Sequence, residues 1–178
     1  MAEINWDEVS NAYPDRQYKD YAREGNYKVK CVDAEVIDAG KNGNKLVKFY
    51  FEETDQYQFP TADHWISKNN TNWRIKHMKD LLVFLGSTED KAKKICEAAE
   101  SKDFEYAGKA YGKAFEILLS KKPEVELRVV FDGKYSRADF ADRSVGRDLD
   151  KELGRSVLAE ATPVEDGDED VDLSNLPF

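Results

Sequence analysis

Tyr27-Lys28-Val29-Lys30-Cys31-Val32-Asp33-Ala34-Glu35-Val36-Ile37 is the stretch on which the fold turns. It is rich in Val, Ile and Tyr, as a strand is. Its apolar positions begin on one parity, at Tyr27, Val29 and Cys31, and continue on the other, at Val32, Ala34 and Val36. Side chains alternate faces along a strand, so a change of parity predicts a bulge or strong coil near Cys31. A strand bent there serves two sides of a small barrel.

Ala39-Gly40-Lys41-Asn42-Gly43-Asn44 follows as a hairpin loop, with Asn-Gly supplying positive-φ residues and Lys41 at the tip. Residues 45–52 read as a second strand, with Val47, Phe49 and Phe51 on one face and Leu46, Lys48 and Tyr50 on the other. The first face is core. The second sets a cation beside aromatics, as a surface that stacks bases and holds phosphates would; a Tyr50 that merely covers the barrel is the alternative. Residues 56–66 read as a third strand carrying an edge-type Pro60. Phe59, Thr61, Asp63 and Trp65 share one face, and Ala62, His64 and Ile66 the other.

Helical signals come next. Asn69-Asn70-Thr71-Asn72 offers caps for a helix over residues 73–85, stopped by Gly86, with Met78, Leu81, Leu82 and Leu85 as its apolar stripe. Lys76 and Lys79 face away, and Arg74 shares the stripe's side as a structural residue. Ser87 opens another helix, with Asp90 at N3 of a capping-box-like start and Ala92, Ile95, Cys96 and Ala99 as a thin stripe. Gly108-Lys109-Ala110-Tyr111 and Gly112-Lys113-Ala114-Phe115 echo one another, too briefly for a repeat fold and without the pattern of a phosphate loop. Residues 113–120 then resume strand character and Pro123 marks a turn. Residues 124–131 alternate as a strand, and Asp132-Gly133 is a hairpin signal into a last strand over residues 134–140. Its start, Lys134-Tyr135-Ser136-Arg137, sets two bases around one aromatic.

The flanks differ from this body. Residues 1–25 are polar but dotted with Ile4, Trp6, Val9, Tyr13, Tyr18 and Tyr21, which predicts a short turn or helix and an arm laid over the body; tyrosines that stack on bases are the alternative. Residues 141–159 carry Val145, Leu149, Leu153 and Val157 at intervals of four, a short helix or a linker. Residues 160–178 hold seven acids, no Lys and no Arg, and should form a disordered, negatively charged arm. That arm ends on Leu176-Pro177-Phe178.

At 178 residues, with 40% hydrophobic content and 21 aromatics, the chain suits one domain with an appendage. Its net charge of −9 counts against nucleic acid as a partner, but residues 1–159 hold 29 acids against all 27 bases, a net of −2. Any DNA site must then be a local basic face. Cys31 and Cys96 lack metal-ligand spacing and read as reduced core residues. No apolar run approaches the ~18 residues of a membrane span, and Met1-Ala2-Glu3 begins no signal peptide, so an intracellular protein is expected. His64 and His77, the only histidines, stand thirteen apart with no Cys or carboxylate at ligand spacing. Without a nucleophile motif either, the expectation is a protein that is not an enzyme and takes no metal or cofactor.

Three strands, a helix, a helical insert, a strand and a final hairpin is the element order of an OB-fold, a five-stranded barrel with a helix between strands three and four. Patterning alone leaves a generic small α+β sheet domain equally open. Two resemblances bear on the choice. The tail resembles those of bacterial-type single-stranded DNA-binding proteins, in which an acidic run precedes an aliphatic residue, Pro and Phe. Ala2-Glu3-Ile4-Asn5-Trp6, Glu24-Gly25-Asn26-Tyr27, Asp33-Ala34-Glu35-Val36, the hairpin over residues 40–48 and the helix over residues 73–85 look like a family of small phage proteins read as OB-fold single-stranded DNA binders. That likeness is good over residues 1–86 and loose from there to 140.

The resemblance implies an N-terminal arm over 1–25, an OB-fold DNA-binding domain over 26–140, a linker or short helix over 141–159 and the tail over 160–178. It also implies a role in phage DNA replication or recombination in the cytoplasm of a bacterial host. Lys41, Lys45, Lys48 and Arg137 would neutralise phosphates, and Tyr50, Trp65 and Tyr135 would stack bases without sequence preference. Asp170, Asp172, Leu176, Pro177 and Phe178 would engage replication or recombination proteins, and the acidic tail would compete with DNA for the groove. A protein-only adaptor, a single-strand annealing protein and a homodimer all stay open.

Overall fold

The computed structural model describes residues 3–10, 19–40 and 42–154. Its centre is a five-stranded antiparallel sheet built on the stretch quoted above. That stretch is one strand, β2 (Gly25–Asp38), preceded by a short helix α1 (Trp6–Ser10) and a two-residue strand β1 (Asp20–Tyr21). The other strands of the sheet are β3 (Lys45–Phe51), β5 (Ala62–Ile66), β6 (Glu124–Phe131) and β7 (Ser136–Phe140), in the order β5-β3-β2-β6-β7.

Two ladders share β2. Residues 25–30 pair with β6, and residues 31–38 pair with β3. The register slips between Cys31 and Asp33, where the parity change predicted a bulge. An extra residue there turns the second half of the strand onto a new face, so one element can border two arms of a curved sheet. Its edges are β5 and β7. The mixed α+β class thus agrees with expectation, while the sheet is not closed into a barrel by a backbone ladder.

The third strand is shorter than expected. Pro60 has no N–H for a ladder, so the run breaks into β4 (Tyr57–Gln58) and β5. β4 leaves the sheet and pairs in parallel with β1, Asp20 opposite Tyr57 and Tyr21 opposite Gln58. Ala22 N adds a bond to Gln58 O at 2.9 Å. Residues 19–22 are therefore laid over the body, while residues 11–18 of the expected arm lie outside the described residues.

Three helices fill the connection from β5 to β6: α2 (Thr71–Phe84), α3 (Glu89–Ala99) and α4 (Phe104–Leu119). In α2 the Asn70 side chain accepts from Trp73 N, and Met78, Leu81, Leu82 and Leu85 are all buried. Arg74 is buried too, its guanidinium donating to both Glu100 oxygens and to the carbonyls of Ser67 and Lys68. α3 starts one residue later than expected. The Ser87 hydroxyl is turned to the Thr88 carbonyl, and Thr88 caps the helix by accepting from Lys91 N at 3.2 Å.

The strand expected over residues 113–120 does not exist; those residues finish α4. Phe115 and Ile117 favour strands, but Leu118 and Leu119 are good helix formers, and the Asp103 carboxylate caps Tyr106 N at 2.8 Å and starts a helix before them. Gly108 and Gly112, four apart, lie on one helical face and press on the sheet: a Cβ on Gly108 would come 2.5 Å from Lys45 Cδ, and one on Gly112 3.1 Å from Val36 Cγ2. The small tandem echo is thus a close-packing face of α4 against β2 and β3. Phe115 descends from it to meet Phe49 edge to face at 5.1 Å, and Phe49 meets Phe140 at 5.4 Å.

The last hairpin opens later than the Asp-Gly signal indicated. Residues 132–135 form its loop: the Asp132 carboxylate accepts from Lys134 N and Tyr135 N, and Asp132 N bonds Tyr135 O at 3.0 Å. After β7 the chain turns through Val145 into one helical turn, α5 (Leu149–Glu152). The tail over 160–178, with Asp170, Asp172, Leu176, Pro177 and Phe178, lies outside the described residues, as does Lys41. No described helix is long and apolar enough to cross a membrane.

Candidate nucleic-acid interface

On β3 the side chains divide by parity. Lys45, Val47 and Phe49 point to the helices and are buried, whereas Lys48 and Tyr50 point outward. Register then decides their company. Lys48 stands between Glu35 of β2 and Asp63 of β5, and Tyr50 stands opposite Asp33. The Lys48 ammonium pairs with Asp63 at 3.1 Å, and the Tyr50 hydroxyl donates to Glu35 at 2.9 Å. That hydrogen bond, with burial and the surrounding carboxylates, raises the Tyr50 phenol above its ordinary range. Three carboxylates and one lysine make this face acidic on balance.

The expected phosphate contacts meet the same fate elsewhere. Lys45 belongs to the core face, where its ammonium bonds Asp38 at 2.6 Å and Glu105 at 3.0 Å. The bond to Asp38, joined by that to Glu105, outweighs burial and raises its pKa. Its position takes it away from the outer surface, as the shared parity with Val47 required. Arg137, opposite Val130, pairs with Glu152 of α5 at 2.8 Å. Each of the three described cations is therefore already matched by an acid.

Aromatics gather where cations do not. A groove of about 630 Å³ runs between the arm, the turn entering β5 and the β6–β7 loop, and it is lined by Tyr21, Tyr50, Phe59, Phe131 and Tyr135. Tyr21 and Phe131 are each 52% exposed and Tyr135 is 63% exposed. Gathered on one groove, these rings form an exposed apolar patch of the kind that marks an interaction site. Lys134 lies beside them, its ammonium 5.2 Å above the Tyr135 ring, and it makes no ion pair among the described residues. Tyr50 and Tyr135 thus come together as the sequence reading required. Trp65 does not join them: it is exposed on the outer face of β5 opposite Leu46, against Gly40 of the hairpin.

Phe131 and Phe59 escaped the sequence reading, and Tyr21 entered it only through the alternative of base-stacking tyrosines in the N-terminal arm. Phe131 continues the alternation of Val125, Leu127 and Val129, which reads as core, but it is the last residue of β6, paired with Ser136 at the loop end of the ladder, and is exposed. Phe59 was assigned to the Trp65 face of an unbroken strand, and the break at Pro60 turns it into the groove. Tyr21 arrives through the pairing of β1 with β4, which no local pattern announces.

The two histidines, distant in sequence, also meet, with Asp139 beside them. No cluster of His, Cys, Asp or Glu among the described residues is arranged to hold a metal ion. Comparison with known proteins returns no matching family model, no matching curated protein and no matching solved structure.

Proposed function

We propose that this chain is a single-stranded DNA-binding protein of the OB type, acting in phage replication or recombination in the cytoplasm of a bacterial host. The observation that carries the reading is the open groove lined by five aromatic rings, with at its rim a lysine that makes no ion pair among the described residues. Bases present a π-face whatever their identity, so such a groove holds a strand without reading it, at about 1–3 kcal/mol per stacked base. Support for the OB architecture comes from the strand order, the bent strand shared by two ladders and the helices between β5 and β6. In that architecture β3 and β5 are strands two and three, and the β6–β7 loop is the connection between strands four and five, which are the usual places for an oligonucleotide. The likeness to small phage proteins and the acidic tail agree with the reading.

Stacking, not charge, does most of the holding. Lys48 and Arg137 must leave carboxylates before they can take a phosphate, which leaves Lys134 as the ready cation and Lys41 outside the described residues. The acidic segment 160–178 competes with the strand for these cations, and its displacement frees it for replication or recombination proteins. A second reading is favoured by one observation: the acids Asp33, Glu35 and Asp63 around Tyr50 repel phosphate, so the aromatic groove would instead suit a protein segment, with no DNA contact.

Titrating a labelled oligo-dT and the matching duplex, at low and moderate salt, decides between them. Tight binding of the single strand, far above the duplex, is the expected result. No binding by the full chain or by a chain ending at Ala161 would remove the DNA reading in favour of the adaptor.

A further inference from the structure

Behind the groove, the edge strands are tied by buried polar groups. His64 on β5 is 2% exposed and Asp139 on β7 is 0% exposed, and His64 Nε2 lies 2.6 Å from Asp139 Oδ1. His64 Nδ1 in turn lies 2.9 Å from Nε2 of His77 on α2. Oδ1 also accepts from Phe140 N at 2.7 Å, and the far oxygen, Oδ2, accepts from the backbone N and Nε of Arg147, each at 3.1 Å. The rings are stacked as well: Trp73 on His77 at 4.9 Å, His77 on His64 at 5.0 Å, and His64 on Phe140 at 5.7 Å.

The chain has a definite polarity. Burial alone would raise the Asp139 carboxyl, but the hydrogen bond from His64 and the backbone donors outweigh it and hold the group below its usual range. An ionised carboxylate can only accept, so His64 donates from Nε2. Burial, with His64 alongside, lowers His77 to about 4, against the smaller pull of Asp139 and Asp80; Lys76 adds to the lowering. His77 is neutral at neutral pH, and its Nε2 and His64 Nδ1 share one proton between them.

Position gives the chain its consequence. β5 and β7 are the two edges of the sheet, and the segment entering each strand is one wall of the groove: Phe59, Pro60 and Thr61 before β5, and Phe131, Lys134, Tyr135 and Ser136 before or at the start of β7. We propose that Asp139 and His64 are positioning residues for the groove, with His77 of α2 holding the His64 ring: the His64–Asp139 hydrogen bond clips β5 to β7 and so sets the spacing of the aromatic walls. This rests on the reading of the groove as the strand-binding site, but the spacing can be measured without DNA.

Nitroxides at Thr61→Cys and Ser136→Cys report the distance between the walls by pulsed electron resonance. The native Cys31 and Cys96 are buried, and burial raises their thiols to about 12 and about 11, so they do not take label under native conditions. In Asp139→Asn the distance should lengthen and broaden while the far-ultraviolet circular dichroism stays native, and oligo-dT affinity should fall about tenfold, the loss of part of one base stack. Leu119→Ala in α4, which packs on β2 and α3, lowers stability away from both edges and should alter neither the distance nor the affinity. A folded Asp139→Asn protein with the native distance distribution overturns the proposal. If Asp139→Asn does not fold, Arg147→Gln, at the half-buried end of the chain, decides in its place: a longer or broader distance supports the clip and an unchanged one overturns it. A widened groove in a protein whose parent binds no oligo-dT would uphold the clip and remove the DNA reading instead.

Discussion

At the scale of single residues, the partner of a charge matters more than its presence. Lys45 and Lys48 are three apart on one strand, yet one is buried between Asp38 and Glu105 and the other lies outside beside Asp63. Strand parity made that division legible in the sequence, because Lys45 shares its face with Val47 and Phe49; the acids that claim each ammonium come from other elements and were not legible. Lys45→Met should leave oligo-dT affinity unchanged and lower the melting temperature, since Asp38 and Glu105 lose their shared cation. Tyr135→Ala should cost about 1–3 kcal/mol of binding, readable by fluorescence titration, with little change in melting. Titration of His77 gives a third prediction. Its folded pKa of about 4 lies below the ordinary 6.5, so between those values the unfolded chain binds the extra proton. Stability must therefore rise with pH across that window, by about 2 kcal/mol once the partial exposure of the ring is discounted. Urea midpoints from pH ~4 to ~7 test this, and His77→Gln should flatten the rise; a slope unchanged in that variant would assign it to other groups.

Elements with a clean local period were readable before any coordinates. The parity change of β2 and the stripe of α2 appear as predicted, because each pattern answers to one buried face, and the hairpin forms after β2 with Gly40 and Gly43, not Asn42, at positive φ. α4 was misread for the opposite reason. Its two glycines four apart weaken a helical reading, and what makes it helical is the cap at Asp103 together with the packing of its face on β2 and β3, which no local pattern shows. Those glycines are unequal. Gly→Ala within a helix gains about 1 kcal/mol of propensity. At Gly112 the new methyl would meet Val36 Cγ2 at 3.1 Å, a contact a small shift relieves, so Gly112→Ala should be near neutral. At Gly108 it would meet Lys45 Cδ at 2.5 Å, and Lys45 is held by two carboxylates. Gly108→Ala should destabilise the protein by about 1 kcal/mol or more despite the better propensity, as thermal melts of the two variants would register.

Across the whole molecule, charge and aromatic surface are arranged for different tasks. The chain carries a net −9, and the described cations expected to meet phosphate are spent on acids within the fold. A protein that binds by neutralising many phosphates loses affinity steeply with salt, with a slope of about −0.7 per phosphate for a single strand. Here the groove offers five rings and one ready lysine, so the slope should be shallow, about −0.7 in log K against log salt. The proposed competition from the acidic segment should bend the same plot at its low-salt end, because repulsion between carboxylates and phosphate is strongest when screening is weakest. A chain ending at Ala161 should then bind oligo-dT more tightly than the full chain at low salt, with the two converging as salt rises. A steep slope in the shortened chain would mean that Lys48 and Arg137 abandon their acids on binding, and that phosphate contacts hold the strand after all. Equal affinity of both chains at low salt would leave the acidic segment with no part in the groove.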